Sequence, residues 1–160
     1  MTALATETKL LIISRDSLLA ARQLPSSDKV FRILAGLSRK GLHILLSAPE
    51  PDRWVPTRGN VDNALNHQHI LMKQTVDAGG ALEGVYYVPR SLLTQDRNRE
   101  GALRDIIKRF SVLAQETVLI SSSSPFIKAA LRLEIEAYEI ALPNKRGLTL
   151  INALESLRTL

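Results

Sequence analysis

Short apolar runs alternate with amphipathic helical stretches along this chain, and the runs end in small polar residues. Three runs carry most of the signal: residues 9–14, 42–46 and 117–120, rich in Leu, Ile and Val and bounded by turn residues. Between them the apolar spacing changes to that of a helix, with Val30, Ile33, Leu34 and Leu37 in one segment and Leu103, Ile106 and Ile107 in another. Near-continuous apolar strands are those buried on both faces, which is the situation of a parallel sheet. The expected fold class is therefore α/β: a three-layer, Rossmann-like core with a mainly parallel sheet and helices on both faces.

Each element has a local reason. The first strand, 9–14, is Lys-Leu-Leu-Ile-Ile-Ser, and a loop is expected from there to Pro25. Ser26 or Ser27 can cap a helix over 28–40, and Gly41 ends it. The second strand, 42–46, stops at Ser47. Three prolines make 48–59 a loop. A helix over 61–78 is stopped by Gly79-Gly80, and 85–88 is a short third strand. Residues 89–99 read as loop and 101–110 as helix. The fourth strand, 117–120, runs into Ser121-Ser122-Ser123-Ser124-Pro125, followed by a helix over 126–133. A fifth strand is expected at 138–142 and a closing helix at 148–157. No repeat, low-complexity tract or linker interrupts the pattern, so residues 1–160 are expected to form one domain.

Composition narrows the functional classes. Apolar residues make up 45% and charged residues 23%, the balance of a globular chain able to bury a core. Without cysteine there is no disulfide, thiolate metal site or Cys nucleophile. The N-terminus lacks a basic region followed by an apolar one, and no apolar run nears the roughly 18 residues of a membrane span. A cytoplasmic location without membrane association is expected. The net charge of +5 is scattered, and aromatic residues are only 4%, so a nucleic-acid partner is not expected: both the basic stripe and the stacking residues are missing.

The stretch Leu10-Leu11-Ile12-Ile13-Ser14-Arg15-Asp16 places a polar turn at the carboxyl end of a buried strand, where α/β proteins bind ligands. It resembles the first motif of the haloacid dehalogenase (HAD) phosphohydrolases. Four further segments resemble, in order, those of the D-glycero-D-manno-heptose 1,7-bisphosphate phosphatases and histidinol phosphatases. They are Ile44-Leu-Leu-Ser-Ala-Pro49, Asp77-Ala-Gly-Gly-Ala-Leu-Glu-Gly-Val-Tyr-Tyr-Val-Pro89, Gly101-Ala-Leu-Arg-Asp-Ile-Ile-Lys-Arg-Phe110 and Val118-Leu-Ile-Ser-Ser-Ser-Ser-Pro-Phe-Ile-Lys-Ala-Ala130. Arg58-Gly59 sits near that family's Arg-Gly turn. The resemblance implies a capless HAD core.

The same resemblance marks departures. Ser14 stands where the family has its nucleophilic Asp, while Asp16 keeps the position of its general acid/base. Ser47 replaces the second-motif Thr. Arg97 falls at the phosphate-binding Lys, Ser122 at the magnesium-binding Asp and Phe126 at its acidic partner. Val88 and Arg90 occupy positions of the family's zinc loop. A serine hydroxyl needs a base to become a nucleophile, and magnesium prefers carboxylate oxygens in octahedral geometry. The expectation is a catalytically inactive HAD-fold protein without catalytic residues, metal or cofactor. Asp16 then reads as a structural or capping carboxylate. Such a protein would work by binding a partner protein, a second copy of itself or a phosphorylated small molecule. Ser14, Ser47, Arg97, Ser122 and Ser123 would hold the anion. The alternative is an active sugar-bisphosphate phosphatase with an atypical site.

The remaining candidates read as structural. His67 and His69 are two apart on a helix and so face different sides, which does not suit a shared ion. His43, at the start of its strand, reads as packed and too far from Ser14 and Asp16 for nucleophilic catalysis. Trp54, alone among prolines, could line a pocket, anchor a partner or cover the core.

Overall fold

In the computed structural model, residues 7–50, 58–89, 95–142 and 145–157 are described. Five parallel strands form one open sheet in the order β3-β2-β1-β4-β5. They are β1 (Leu10–Ser14), β2 (His43–Pro49), β3 (Gly84–Val88), β4 (Thr117–Ser121) and β5 (Glu136–Glu139). The helices are α1 (Arg15–Arg22), α2 (Ser27–Arg39), α3 (Arg58–Asp77), α4 (Gln95–Phe110), α5 (Ser124–Arg132) and α6 (Leu150–Glu155). The expected α/β sandwich is present, and every strand pairing is parallel. Among the described residues no cap is inserted between strands.

The strand alternation builds two cores. Leu11 and Ile13 of β1 face one side with Ile44 and Leu46, and are covered by Leu18 of α1, Val30, Phe31 and Leu34 of α2, Leu71 of α3 and Leu154 of α6. Leu10 and Ile12 face the other with Leu45 and Leu119, under Leu103 and Ile106 of α4 and Phe126 and Ile127 of α5. Full burial of each such side chain contributes about 1.5–3 kcal/mol, which is why the central strand carries no polar side chain until Ser14. Where α3 ends, a Cβ on Gly80 would lie 2.5 Å from the Cα of Ala35, so only glycine lets this turn approach α2.

Several boundaries differ from the sequence reading. The expected loop after β1 is the helix α1. Ser14 Oγ accepts a hydrogen bond from Ser17 N at 3.4 Å, and Leu18 and Ala21 are buried. Its short apolar face was hidden by flanking polar residues. The segment 95–99, read as loop, is the first part of α4. Its charged residues lack apolar periodicity, but Asp96 lies in the first turn and pairs with Arg99 at 3.0 Å. Helix α5 starts at Ser124, with Ser123 as cap and Pro125 in the first turn, where its missing N–H costs nothing. β5 lies at 136–139 rather than 138–142. Its partner in the sheet fixes it, since Val118 pairs with Glu136 and Ser121 with Glu139. A charged edge strand of this kind has no apolar signature. Trp54 and Arg90 lie outside the described residues.

Candidate functional site

β1 and β4 end in serine, and β2 carries Ser47 level with them, two residues before its end at Pro49. Ser14 pairs with Ser47 across β1 and β2. Ser121 follows Ile120, the β4 partner of Ile13. The polar row begins where the apolar rungs stop, at the carboxyl edge of the sheet. It forms the floor of a cavity of about 230 Å³. Asp16, Ser122, Ser123, Phe126, Gln95 and Arg99 complete most of the wall.

Hydrogen bonding gives this floor a definite character. Ser14 Oγ accepts from Ser17 N at 3.4 Å, Ser123 Oγ from Phe126 N at 3.4 Å, and Ser121 Oγ from Ser123 N at 3.1 Å. Each hydroxyl thereby has an acceptor position filled by the backbone and keeps its hydrogen to donate. Ser14 and Ser123 are also the caps of α1 and α5, whose amino ends carry partial positive charge. Arg99 adds a guanidinium, its side chain 21% exposed and anchored through Nη1 to Asp96. Asp16 is the carboxylate in the wall. Its side chain is 59% exposed and is held by Arg15 Nη2 at 3.0 Å. Hydroxyl donors, a guanidinium and two helix amino ends favour a tetrahedral oxyanion.

Of the residues singled out in the sequence, the fold gathers Ser14, Asp16, Ser47, Ser122, Ser123 and Phe126 in this cavity. It does not bring Arg97 there. Arg97 is exposed, and Arg99 lines the wall instead. The reason is helical phase. Gln95 and Arg99 continue the face of Ala102, Leu103 and Ile106, whereas Arg97 is about 200° from Arg99 around the axis. Reading 95–99 as loop concealed that phase. Ser121 was missed as well, although it follows the last apolar residue of β4 as Ser14 follows that of β1. Asp16 does not cap α1; Ser14 does, and the partner of Asp16 is Arg15.

The histidines lie elsewhere. His43 is not packed away. It is exposed at the amino end of β2, with Nδ1 2.6 Å from Glu83 Oε1 and its ring 5.4 Å from that of Phe110. It is thus at the opposite end of the sheet from Ser14. His67 is half-buried and His69 exposed on α3. No group of three or more His, Cys, Asp or Glu able to hold a metal forms among the described residues. No helix among them is long and apolar enough to cross a membrane.

No protein-family model matches the chain, and no curated protein matches it. Solved structures do. The D,D-heptose 1,7-bisphosphate phosphatase from B. bronchiseptica, in complex with magnesium and phosphate, superposes with a TM-score of 0.59. Identity is 17%, over 83% of this chain and 80% of that one. An uncharacterized protein from Corynebacterium glutamicum gives a TM-score of 0.58 at 11% identity, over 84% of this chain and 86% of that one. The fold is HAD-like. The expectation that the chain is no enzyme is corrected by this likeness: its architecture is shared with a phosphatase, and nothing among the described residues shows loss of activity.

Magnesium is held in that phosphatase, so the donor set here bears comparison. The HAD-like cavity offers one carboxylate, Asp16, already engaged by Arg15, and otherwise neutral hydroxyls and an amide. These do not fit the carboxylate-rich, octahedral shell that magnesium favours.

Proposed function

We propose that the chain is an atypical phosphatase acting on small phosphate monoesters. The observation that supports this reading is the row of serine hydroxyls, with acceptor positions filled by the backbone, beside Arg99 and Asp16. The hydroxyls and Arg99 hold the non-bridging oxygens and stabilise the charge that spreads over them as the ester bond breaks. The carboxylate of Asp16 orients a water molecule and accepts its proton. The water oxygen forms the new bond to phosphorus as the bond to the alcohol oxygen breaks. Asp16 passes the proton to solvent and the departing alkoxide takes one from solvent, giving alcohol and inorganic phosphate. Direct attack by water needs no phosphoserine at Ser14, whose ester would be slow to hydrolyse. The hydroxyl donors and Arg99 support the phosphoryl half of this reading and leave the alcohol half open.

The test is hydrolysis of 4-nitrophenyl phosphate, with magnesium and with a chelator, alongside calorimetry with inorganic phosphate. Phosphate binding, together with turnover that Asp16→Asn reduces at least 100-fold, is the expected outcome. Absence of both binding and turnover in either condition overturns the reading.

A further inference from the structure

A second cavity, of about 240 Å³, adjoins the serine floor and shares Asp16 and Ser122 with it. Its character is different. Ala20, Ala21, Leu24, Ile140, Leu142 and Leu148 line it, from α1, from the end of β5 and from the approach to α6. Leu24, Leu142 and Leu148 are 49%, 57% and 36% exposed. Seven large apolar side chains are exposed among the described residues, and three of them meet at this one trough. Scattered exposed leucines are ordinary, but a contiguous exposed apolar surface marks a binding site. The wall carries one charge of each sign, Asp16 and Lys145, and is otherwise mainly apolar.

We propose that this trough receives the organic half of the phosphate ester, so that the preferred substrates are monoesters of apolar, ring-sized alcohols rather than of sugars. The inference rests on the phosphatase reading and deepens it. Two cavities of similar volume meeting at Asp16 and Ser122 match a two-part ligand, with the phosphoryl group over the serines and its alcohol over the leucines. A cavity of about 150 Å³ is enough to hold benzene, so the trough accommodates a ring. A sugar would bring hydroxyl groups against leucine and alanine, where their hydrogen bonds to water have no replacement.

The experiment compares binding of inorganic phosphate, phenyl phosphate and glycerol phosphate by calorimetry. Phenyl phosphate is expected to bind at least tenfold more tightly than glycerol phosphate. Leu142→Asp and Leu148→Asp, both at exposed positions and each checked by circular dichroism, are expected to bring that ratio close to one. If inorganic phosphate binds but phenyl and glycerol phosphate bind alike, the trough assignment is overturned and the phosphatase reading stands. A preference that survives both substitutions overturns it too. If no phosphate compound binds, both proposals fall together.

Discussion

The two ends of the sheet use polar residues in opposite ways. At the amino end polar groups are matched within the fold: Lys9 Nζ lies 2.6 Å from Glu116 Oε2, and His43 Nδ1 lies 2.6 Å from Glu83 Oε1. Glu116 also accepts from Leu113 N and so closes the turn before β4. At the carboxyl end the strands finish in neutral hydroxyls that bond to backbone N–H groups, with Arg99 in the wall and Asp16 at the surface. A matched ion pair has no affinity left for a ligand. A hydroxyl whose acceptor side is filled by its own backbone still has a hydrogen to give. The carboxylates at the amino end are spent within the fold, and the serines at the carboxyl end keep hydrogens to donate.

The largest test asks whether the two ends depend on one core. Ile12→Ala empties a fully buried position in the central strand. It should cost about 2–5 kcal/mol in urea unfolding and weaken both ends together. Next comes the cavity alone. Arg99→Ala should weaken inorganic phosphate about tenfold, roughly 1.4 kcal/mol, while Arg97→Ala changes it less than twofold, as read by calorimetry. Equal effects would remove the distinction that the phase of α4 draws. A smaller effect separates capping from binding. Ser123→Ala and Thr149→Ala each delete a side-chain cap, of α5 and α6, and each should cost about 1 kcal/mol. Only Ser123→Ala should also weaken phosphate.

The smallest effect is in pH. The hydrogen bond and charge of Lys9 hold Glu116 below the ordinary carboxylate range, and Glu116 raises Lys9 in return. Hydrogen bonds from Tyr86, at 2.6 Å, and Arg109 likewise lower Asp105, in α4. Burial, with that hydrogen bond, pushes Tyr86 up to about 12. For the two carboxylates the folded value lies below the unfolded one. Their contribution is present above about pH 5 and fades as pH falls through about 4 and below. For Tyr86 and Lys9 the folded value is raised, so their contribution is full below about pH 10 and fades as pH climbs above it. Thermal unfolding scans should show a plateau between these limits. Glu116→Gln should flatten its acid edge.

Legibility in the sequence followed apolar patterning. β1, β2 and β4 were readable because strands buried on both faces must be apolar throughout, and α2 because a single stripe of Val30, Leu34 and Leu37 covers one core. The start of α4 and the strand β5 were not readable. The first is a charged turn held by a local ion pair, and the second is an edge strand held by its neighbour β4. The site divided differently. Ser14, Ser47 and Ser122 were singled out because the resemblance to the HAD motifs places them, with Ser123 beside them, whereas Arg99 needed the rotational phase of a helix whose beginning carries no apolar signal.

By itself the sequence determined the layered α/β plan and the serine-rich strand ends, because burial and turn chemistry are local in the chain. Only the tertiary structure decided that Arg99 rather than Arg97 enters the cavity, and that three exposed leucines gather beside it. Both depend on the rotation and distance of elements that the sheet brings together, and those are fixed by packing across the whole fold.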